Sequence, residues 1–455
     1  MKSLRQWKQL KLYSDYSGPR AIKDTSSEDF IASRLSKSPT GQIRLMESIC
    51  ERNNMREAIK RVIRNKGAPG IDGMTVREIE RHFNRHREEI EKALLMGVYM
   101  PKPVLRAEIP KPEGGIRLLG IPTVLDRVIQ QAVALVLARI WDHTFSETSY
   151  GYRPGRSQHD AMRKYRENVR AGCKYLVDID ISKFFDRVNH DRLMARLSTR
   201  IEDKRVLKLI RRFLTSGVMI GGLIEPTQEG TPQGGPLSPL LSNIVLDELD
   251  KELERRGLRF VRYADDCVIF VKSKRAANRV MESISLFIEK RLRLKVNKEK
   301  SDIELPWKSK YLGFCVTNAG KDSKIRIHWK SIKRFENRVR EITARRRGRS
   351  MAQVIRELNE YMKGWWNYFS LTESFNRLKP LDHWIRRRLR AVIWKHWKNR
   401  ITRVSELLKR GVHRNYAVTT GCARKGPWRM SKVKWVQMAL PDTYFSKLGL
   451  VFPWI

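Results

Sequence analysis

Acidic residues are in short supply in this chain of 455 residues: 49 Asp and Glu stand against 93 Lys and Arg, a formal net charge of +44 at pH 7. That excess is far beyond what solubility requires, so a polyanionic partner is expected. Cysteine is scarce too. Cys50, Cys173, Cys267, Cys315 and Cys422 have no paired spacing, which argues against a disulfide framework or a Cys-based zinc site and suits a reducing cytoplasm. Long apolar runs are missing. The longest, Ala132 to Ala138, is far shorter than the roughly 20 residues that cross a bilayer, and the basic N-terminus has no signal-type apolar segment. No membrane partner is expected. The 41% hydrophobic content still suffices for cores, and the length suits two to four domain-sized units.

Positive charge is concentrated late in the chain. From Lys321 to Ile455 there are 33 Lys and Arg against 9 Asp and Glu, together with 9 of the 12 Trp. Cations there suit phosphates, and core packing is the expectation for most of the Trp rings. The change of character near residue 320 marks the expected domain boundary. Arg345 to Arg347 and Arg386 to Arg388 read as charge runs, each either a plain solvated face or, for the cations between Arg386 and Lys398, part of a basic RNA-binding surface.

The motifs lie earlier. From Gln42 a helical pattern leads into the loop Lys66 to Gly73, and Val104 to Ile121 reads as two short strands around Glu113-Gly114-Gly115. Lys111 and Arg117 on that hairpin would meet triphosphate oxygens if a nucleotide lay against it. Leu125 to Trp141 reads as a helix and Ser149 to Ser157 as an exposed loop with two Arg. Tyr175 to Ile181 alternates acids with branched apolar residues, so Asp178 and Asp180 share one face of a strand. An acid in a buried strand is costly unless it is paired or metal-bound. Gly230 to Pro239 is a Gly- and Pro-rich lead into a helix ending near Gly257, with room for backbone to approach a ligand. Ala276 to Leu292 reads as a helix, Leu294 to Ser301 as a basic strand and turn, and Tyr311 to Phe314 as a strand. Between two β-rich runs, Leu258 to Arg262 and Cys267 to Val271, Tyr263-Ala264-Asp265-Asp266 forms a tight turn with adjacent carboxylates. Their repulsion is relieved by a cation, a divalent metal being the usual one.

Asp180, the Asp265-Asp266 pair, a Lys/Arg hairpin and a Gly-rich loop are the parts required for two-metal nucleotidyl transfer. In the order Ile109-Pro110-Lys111-Pro112, Gly151 to Ser157, Asp180 with Phe184-Phe185-Asp186, Thr231-Pro232-Gln233-Gly234, Tyr263 to Asp266, Asn297 to Ser301, Tyr311 to Phe314 and Gly364 to Phe369, the chain resembles the reverse transcriptases encoded by bacterial group II introns. The resemblance implies an α+β right-hand polymerase: a basic extension over 1–40, fingers and an antiparallel palm over 41–320, a helical thumb or maturase domain over 321–380, and a basic helical DNA-binding region over 381–455. It implies that Asp180, Asp265 and Asp266 bind two Mg²⁺ ions, with the Ile181 carbonyl as a further ligand and Mn²⁺ as a substitute. It further implies nucleotide contacts from Lys111, Arg117, Gln233, Tyr263, Ala264 and Lys300, with Phe184 as the ring that excludes a ribose 2′-hydroxyl.

The partners implied are structured intron RNA, an RNA template, a DNA primer or target and dNTPs, in the bacterial cytoplasm near the nucleoid. The last 35 residues hold one Cys and no His, so no Cys- and His-containing nuclease domain is expected and the resemblance is to the compact class C type. Two other readings stay open. One is a related polymerase serving antiviral defence or DNA repair, and the other is an RNA-binding splicing cofactor with an idle polymerase centre.

Overall fold

The computed structural model describes residues 44–110, 115–220, 223–225, 230, 234–345 and 348–454. The expected extension over 1–40, together with Lys111 and Gln233, lies outside the described residues, as does the side chain of Arg117. Two compact units divide between Leu305 and Pro306.

In the first unit, helices Leu45–Cys50 and Arg52–Arg64 replace the single helical pattern. Glu51, at φ −54° and ψ 136°, leaves the helical region and breaks it. Their apolar faces meet helix Val124–Trp141, which is buried almost all round. A helix so enclosed must satisfy every polar group internally. Accordingly the Thr123 hydroxyl caps its first turn, and buried Asn54 donates to the Ala132 carbonyl at 3.1 Å.

Two four-stranded sheets follow. β1 (Val104–Pro110) pairs antiparallel with β2 (Ile116–Ile121) and parallel with β4 (Val218–Ile220), which pairs with β5 (Leu223–Glu225). The second sheet has the order β6-β7-β3-β8, all antiparallel, from β6 (Arg259–Tyr263), β7 (Asp266–Val271), β3 (Tyr175–Ile179) and β8 (Asp302–Glu304). Central β3 and β7 carry the branched residues Val177, Ile179, Ile269 and Val271 into the core. Helix Lys274–Lys290, capped by the Ser273 hydroxyl, packs its Ala277, Val280, Ile284 and Ile288 face into the same core. β8 escapes sequence reading because three residues are too few to show alternation. The strand expected from Leu294 is reduced to one bridge, Ile181 to Val296.

In the second unit a short hairpin, β9 (Phe314–Val316) and β10 (Ile325–Ile327), precedes helices Trp329–Ile342, Met351–Phe369, Lys379–His396 and Arg400–Lys409, with shorter ones after them. Core packing of Trp is less general than expected. Trp365, Trp394 and Trp397 are buried, Trp366, Trp384, Trp435 and Trp454 are half-buried, and Trp329 and Trp428 are exposed. Half-buried Trp454 still serves packing, since its ring meets Phe335, Trp365 and Phe452 while its indole N–H donates to Asp382 at 2.7 Å. Arg386 to Arg388 do not form a solvated face. Arg386 pairs with Asp442, Arg387 stacks 3.6 Å over Trp428, and Arg388 donates to the Thr343 hydroxyl at 2.6 Å.

His328 opens helix Trp329–Ile342 as its N-cap. Nδ1 accepts from the Lys330 N–H at 3.2 Å and Nε2–H donates to the Lys308 carbonyl at 3.3 Å, a geometry that requires the neutral ring. Burial drives its pKa down to about 4. The unfolded ring binds its proton near pH 6.5, so stability is complete above that value and falls as pH drops from about 6.5 to about 4. In urea titrations across this window, His328→Gln should lower the pH slope of stability by about one proton relative to the native chain. An unchanged slope in the variant would contradict the capping role.

Candidate functional site

The register of the second sheet brings the acids together. β3 and β7 pair Asp178 with Val268 and Ile179 with Cys267, so the next position opposes Asp180 to Asp266 at the sheet end. Tyr263 pairs with Asp266 across the β6–β7 hairpin, which leaves Ala264 and Asp265 as a two-residue turn. Ala264 has φ 59°, a conformation L-residues seldom adopt. Surrounding structure has to hold it there.

That structure is a buried network. Arg262 is fully enclosed and forms a two-pronged pair with Asp250 on helix Ser238–Arg255, Nε to Oδ1 at 2.7 Å and Nη2 to Oδ2 at 2.5 Å. Its Nη1 donates to the Ala264 carbonyl at 2.8 Å and to Asn243 Oδ1 at 3.0 Å, and the Asn243 amide donates to the Gly151 carbonyl at 2.9 Å. Burial opposes the Arg262 charge, but the Asp250 carboxylate more than offsets it and holds the pKa above the usual arginine value. The turn is thus tied by its own carbonyl to a charge that cannot leave.

The segment Ser149 to Gly151 closes the network from the other side. The Arg262 N–H donates to the Thr148 carbonyl and the Tyr150 N–H to the Arg262 carbonyl, at 3.0 and 2.9 Å. A Cβ on Gly151 would stand 2.1 Å from the Ala264 nitrogen, so only glycine fits. The exposed loop expected here is in fact largely internal. Arg153, 5% exposed, donates to Asp142 and to the carbonyls of Ser146 and Ser149, so it braces the segment instead of facing a ligand.

Asp180 is held by a separate turn. Its N–H donates to the Ser301 hydroxyl at 3.1 Å, its carbonyl accepts from the Asn297 N–H at 2.8 Å, and Oδ2 accepts from the Asn297 amide at 3.2 Å. The Asn297 to Ser301 motif therefore orients the carboxylate, and exposed Lys300 rides on the same turn. Ile181 is buried and bridged to Val296. Asp178, between Asp180, Asp302 and Glu304, is pushed up to about 7 by burial and then by those charges. Negative charge is therefore in local excess at this sheet end.

An all-carboxylate donor set of this kind suits a hard divalent cation. Among the described residues, no three Asp, Glu, His or Cys side chains are yet gathered closely enough to hold an ion. What the structure supplies is the strand register and the excess charge.

Phe184 requires a correction. Its ring is 2% exposed and belongs to the core, whereas Phe185 is half-buried and meets it edge-on at 5.3 Å. A ring enclosed in the core cannot also face a nucleotide sugar. Gly230, at φ 91°, lies so close to the Phe185 carbonyl that a Cβ would stand 2.8 Å from it. At this position the Gly-rich lead meets the protein's own backbone.

A palm-type antiparallel sheet with acids at its central strand ends defines a template-directed polymerase. The reverse transcriptase (RNA-dependent DNA polymerase) family matches residues 109–316, and the group II intron, maturase-specific domain matches residues 332–411. Protein YkfC of Escherichia coli (strain K12) is 32% identical over 301 residues, covering 57% of this chain and 79% of that protein. Group II intron-encoded protein LtrA of Lactococcus lactis subsp. cremoris is 30% identical over 295 residues, covering 50% of this chain but only 49% of LtrA. The chain belongs to the family of group II intron reverse transcriptases with a maturase domain.

Removing one member of a buried ion pair leaves the other charge unpaired, at about 3–5 kcal/mol. Asp250→Asn should therefore lower the urea-derived stability of the chain by about that amount. A loss under about 1 kcal/mol, the range of a surface pair, would contradict the enclosure of Arg262.

Proposed function

We propose that the chain extends a DNA primer with dNTPs on an RNA template at the end of the β3–β7 pair. The observation that carries this reading is the register that sets Asp180 opposite Asp266, within the segment that matches the reverse transcriptase family. Asp180, Asp265 and Asp266 would hold two Mg²⁺ ions, with the Ile181 carbonyl as a further ligand and Mn²⁺ as a substitute. Bound there, such ions lower the pKa of a primer 3′-hydroxyl and neutralise the triphosphate.

The protein's own groups do the rest. Asn297 and Ser301 aim Asp180, while Arg262, Asn243 and Gly151 hold the turn that presents Asp265. Lys111 and Arg117 would place positive charge on the triphosphate, Arg through its fork and Lys as a point charge. Gln233, Tyr263, Ala264 and Lys300 would line the nucleotide pocket. We assign the sugar-facing ring to Phe185 instead of Phe184, because it is the one with exposed surface.

The match over 332–411 supports a second role for the same chain, binding a structured intron RNA and assisting its splicing, with retrohoming as the combined outcome. The engagement of Arg386 and Arg390 by Asp442, and of Arg387 by the Trp428 ring, argues for other cations as the RNA contacts.

Asp265→Ala should abolish divalent-dependent primer extension on RNA and leave RNA affinity and splicing assistance nearly unchanged. Undiminished extension would sink the catalytic assignment. Phe185→Ala should raise ribonucleotide incorporation with little loss of stability, whereas Phe184→Ala should destabilise by about 3–5 kcal/mol, as core Phe truncations do. The reverse pattern, measured by nucleotide competition and urea unfolding, would restore Phe184 as the gate.

A further inference from the structure

We infer that Arg340 and Arg388, which share the Trp384 ring, form with the nearby charge of Arg345 a binding site for a backbone phosphate of RNA. This inference deepens the RNA-binding role proposed above and rests on it. Arg340 and Arg345 lie at and just beyond the C-terminal end of helix Trp329–Ile342, and Trp384 and Arg388 lie one turn apart on helix Lys379–His396. The guanidinium carbons of Arg340 and Arg388 stand 5.3 and 5.4 Å from the Trp384 ring centroid, so two cations share one aromatic ring.

Neighbouring arginines are compensated differently. Arg386 and Arg390, on the same helix, both pair with Asp442, at 3.5 and 2.8 Å. Arg388 has no carboxylate partner among the described residues. It donates instead to the Thr343 hydroxyl at 2.6 Å and to the Arg340 carbonyl at 3.3 Å, which orients it and leaves further N–H groups for a ligand. Arg340 has one counter-charge, Glu336 at 2.9 Å, and exposed Arg345 has none among the described residues. Positive charge is in excess here.

Burial first, and then the charges of Arg340 and Arg345, pull the Arg388 pKa down to about 10. A half-buried cation facing two like charges is unfavourable without an anion. A phosphate accepts several charge-assisted hydrogen bonds and offsets that repulsion, and Trp384 provides a flat wall beside it. All four residues fall within the segment that matches the maturase-specific domain, which favours RNA over DNA as the source of the phosphate.

A purely structural role, in which Arg388 only closes the end of helix Trp329–Ile342, makes a different prediction. The test measures binding of the full chain to a structured group II intron RNA across a salt series. Arg345→Gln and Arg388→Gln should each flatten the dependence of log affinity on log salt, by up to the about 0.7–0.9 that one whole phosphate contact contributes. Thr343→Val keeps all three charges and should leave the slope unchanged. Slopes unchanged in both arginine variants, with tight native binding, would overturn this site alone. Failure of the native chain to bind the RNA would instead overturn the RNA-binding reading beneath it. An equal flattening on a DNA duplex of the same sequence would overturn RNA as the ligand. Because Arg345 is exposed and makes no described side-chain contact, its variant keeps the test valid even if Arg388→Gln fails to fold.

Discussion

The enclosed pair of Arg262 and Asp250 is the constraint on which the rest of the first unit depends. Burying two charges forfeits hydration that their attraction seldom fully restores, so such a pair is weak evidence of stability. Its consequence is orientation. A guanidinium has five N–H donors in a fixed plane, and here they reach both Asp250 oxygens, the Asn243 side chain and the Ala264 carbonyl. Asp250 and Asn243 belong to one helix and Ala264 to the turn itself. Helix Ser238–Arg255, the β6–β7 hairpin and, through Asn243, the Gly151 segment cannot shift independently without stranding a buried charge. The positive φ of Ala264 is the local strain that this arrangement sustains.

Arginine serves three purposes in this protein, and counting charges does not separate them. Arg262 is fully enclosed and paired with an acid. Arg153 is enclosed but bonded mainly to carbonyls, so it works as a brace for a loop that lacks regular hydrogen bonding. Arg387 lies flat on Trp428, where stacking replaces an ion pair. A net charge of +44 therefore overstates the cation density offered to a polyanion, since part of it is structural.

Much of the site could be read in the sequence because its chemistry is local. Tyr263 to Asp266 carries its own turn signal, and the alternation in Tyr175 to Ile179 reports a half-buried strand that delivers Asp180 to its end. Helix Ser238–Arg255, with Pro239 in its first turn, follows for the same reason. What could not be read is what depends on distant partners. Arg153 looks like any loop arginine until Asp142 and the carbonyls of Ser146 and Ser149 surround it. Asp250 lies in a run of helix charges, and only the fold shows that it faces Arg262 while Glu252 faces Arg255 and Arg256. Phe184 and Phe185 are chemically equivalent in sequence. Their exposure differs because a 3₁₀ turn, entered through Lys183 at φ 49°, rotates one ring inward.

The scarcity of acids bears on mechanism as well. In a strongly basic chain a carboxylate that merely solvates a surface contributes little, whereas acids ranged along one strand pair repel one another. Asp178 is flanked in this way by Asp180, by Asp302 directly across from it on β8, and by Glu304 opposite Leu176. Their mutual repulsion makes that strand pair an attractive place for a cation. The surrounding positive charge does the opposite, drawing in a polyanion from solution. Keeping the acids together leaves them a local field of their own within a chain whose net charge is strongly positive. A uniform mixture of the same residues would remove that local field and leave only the positive one.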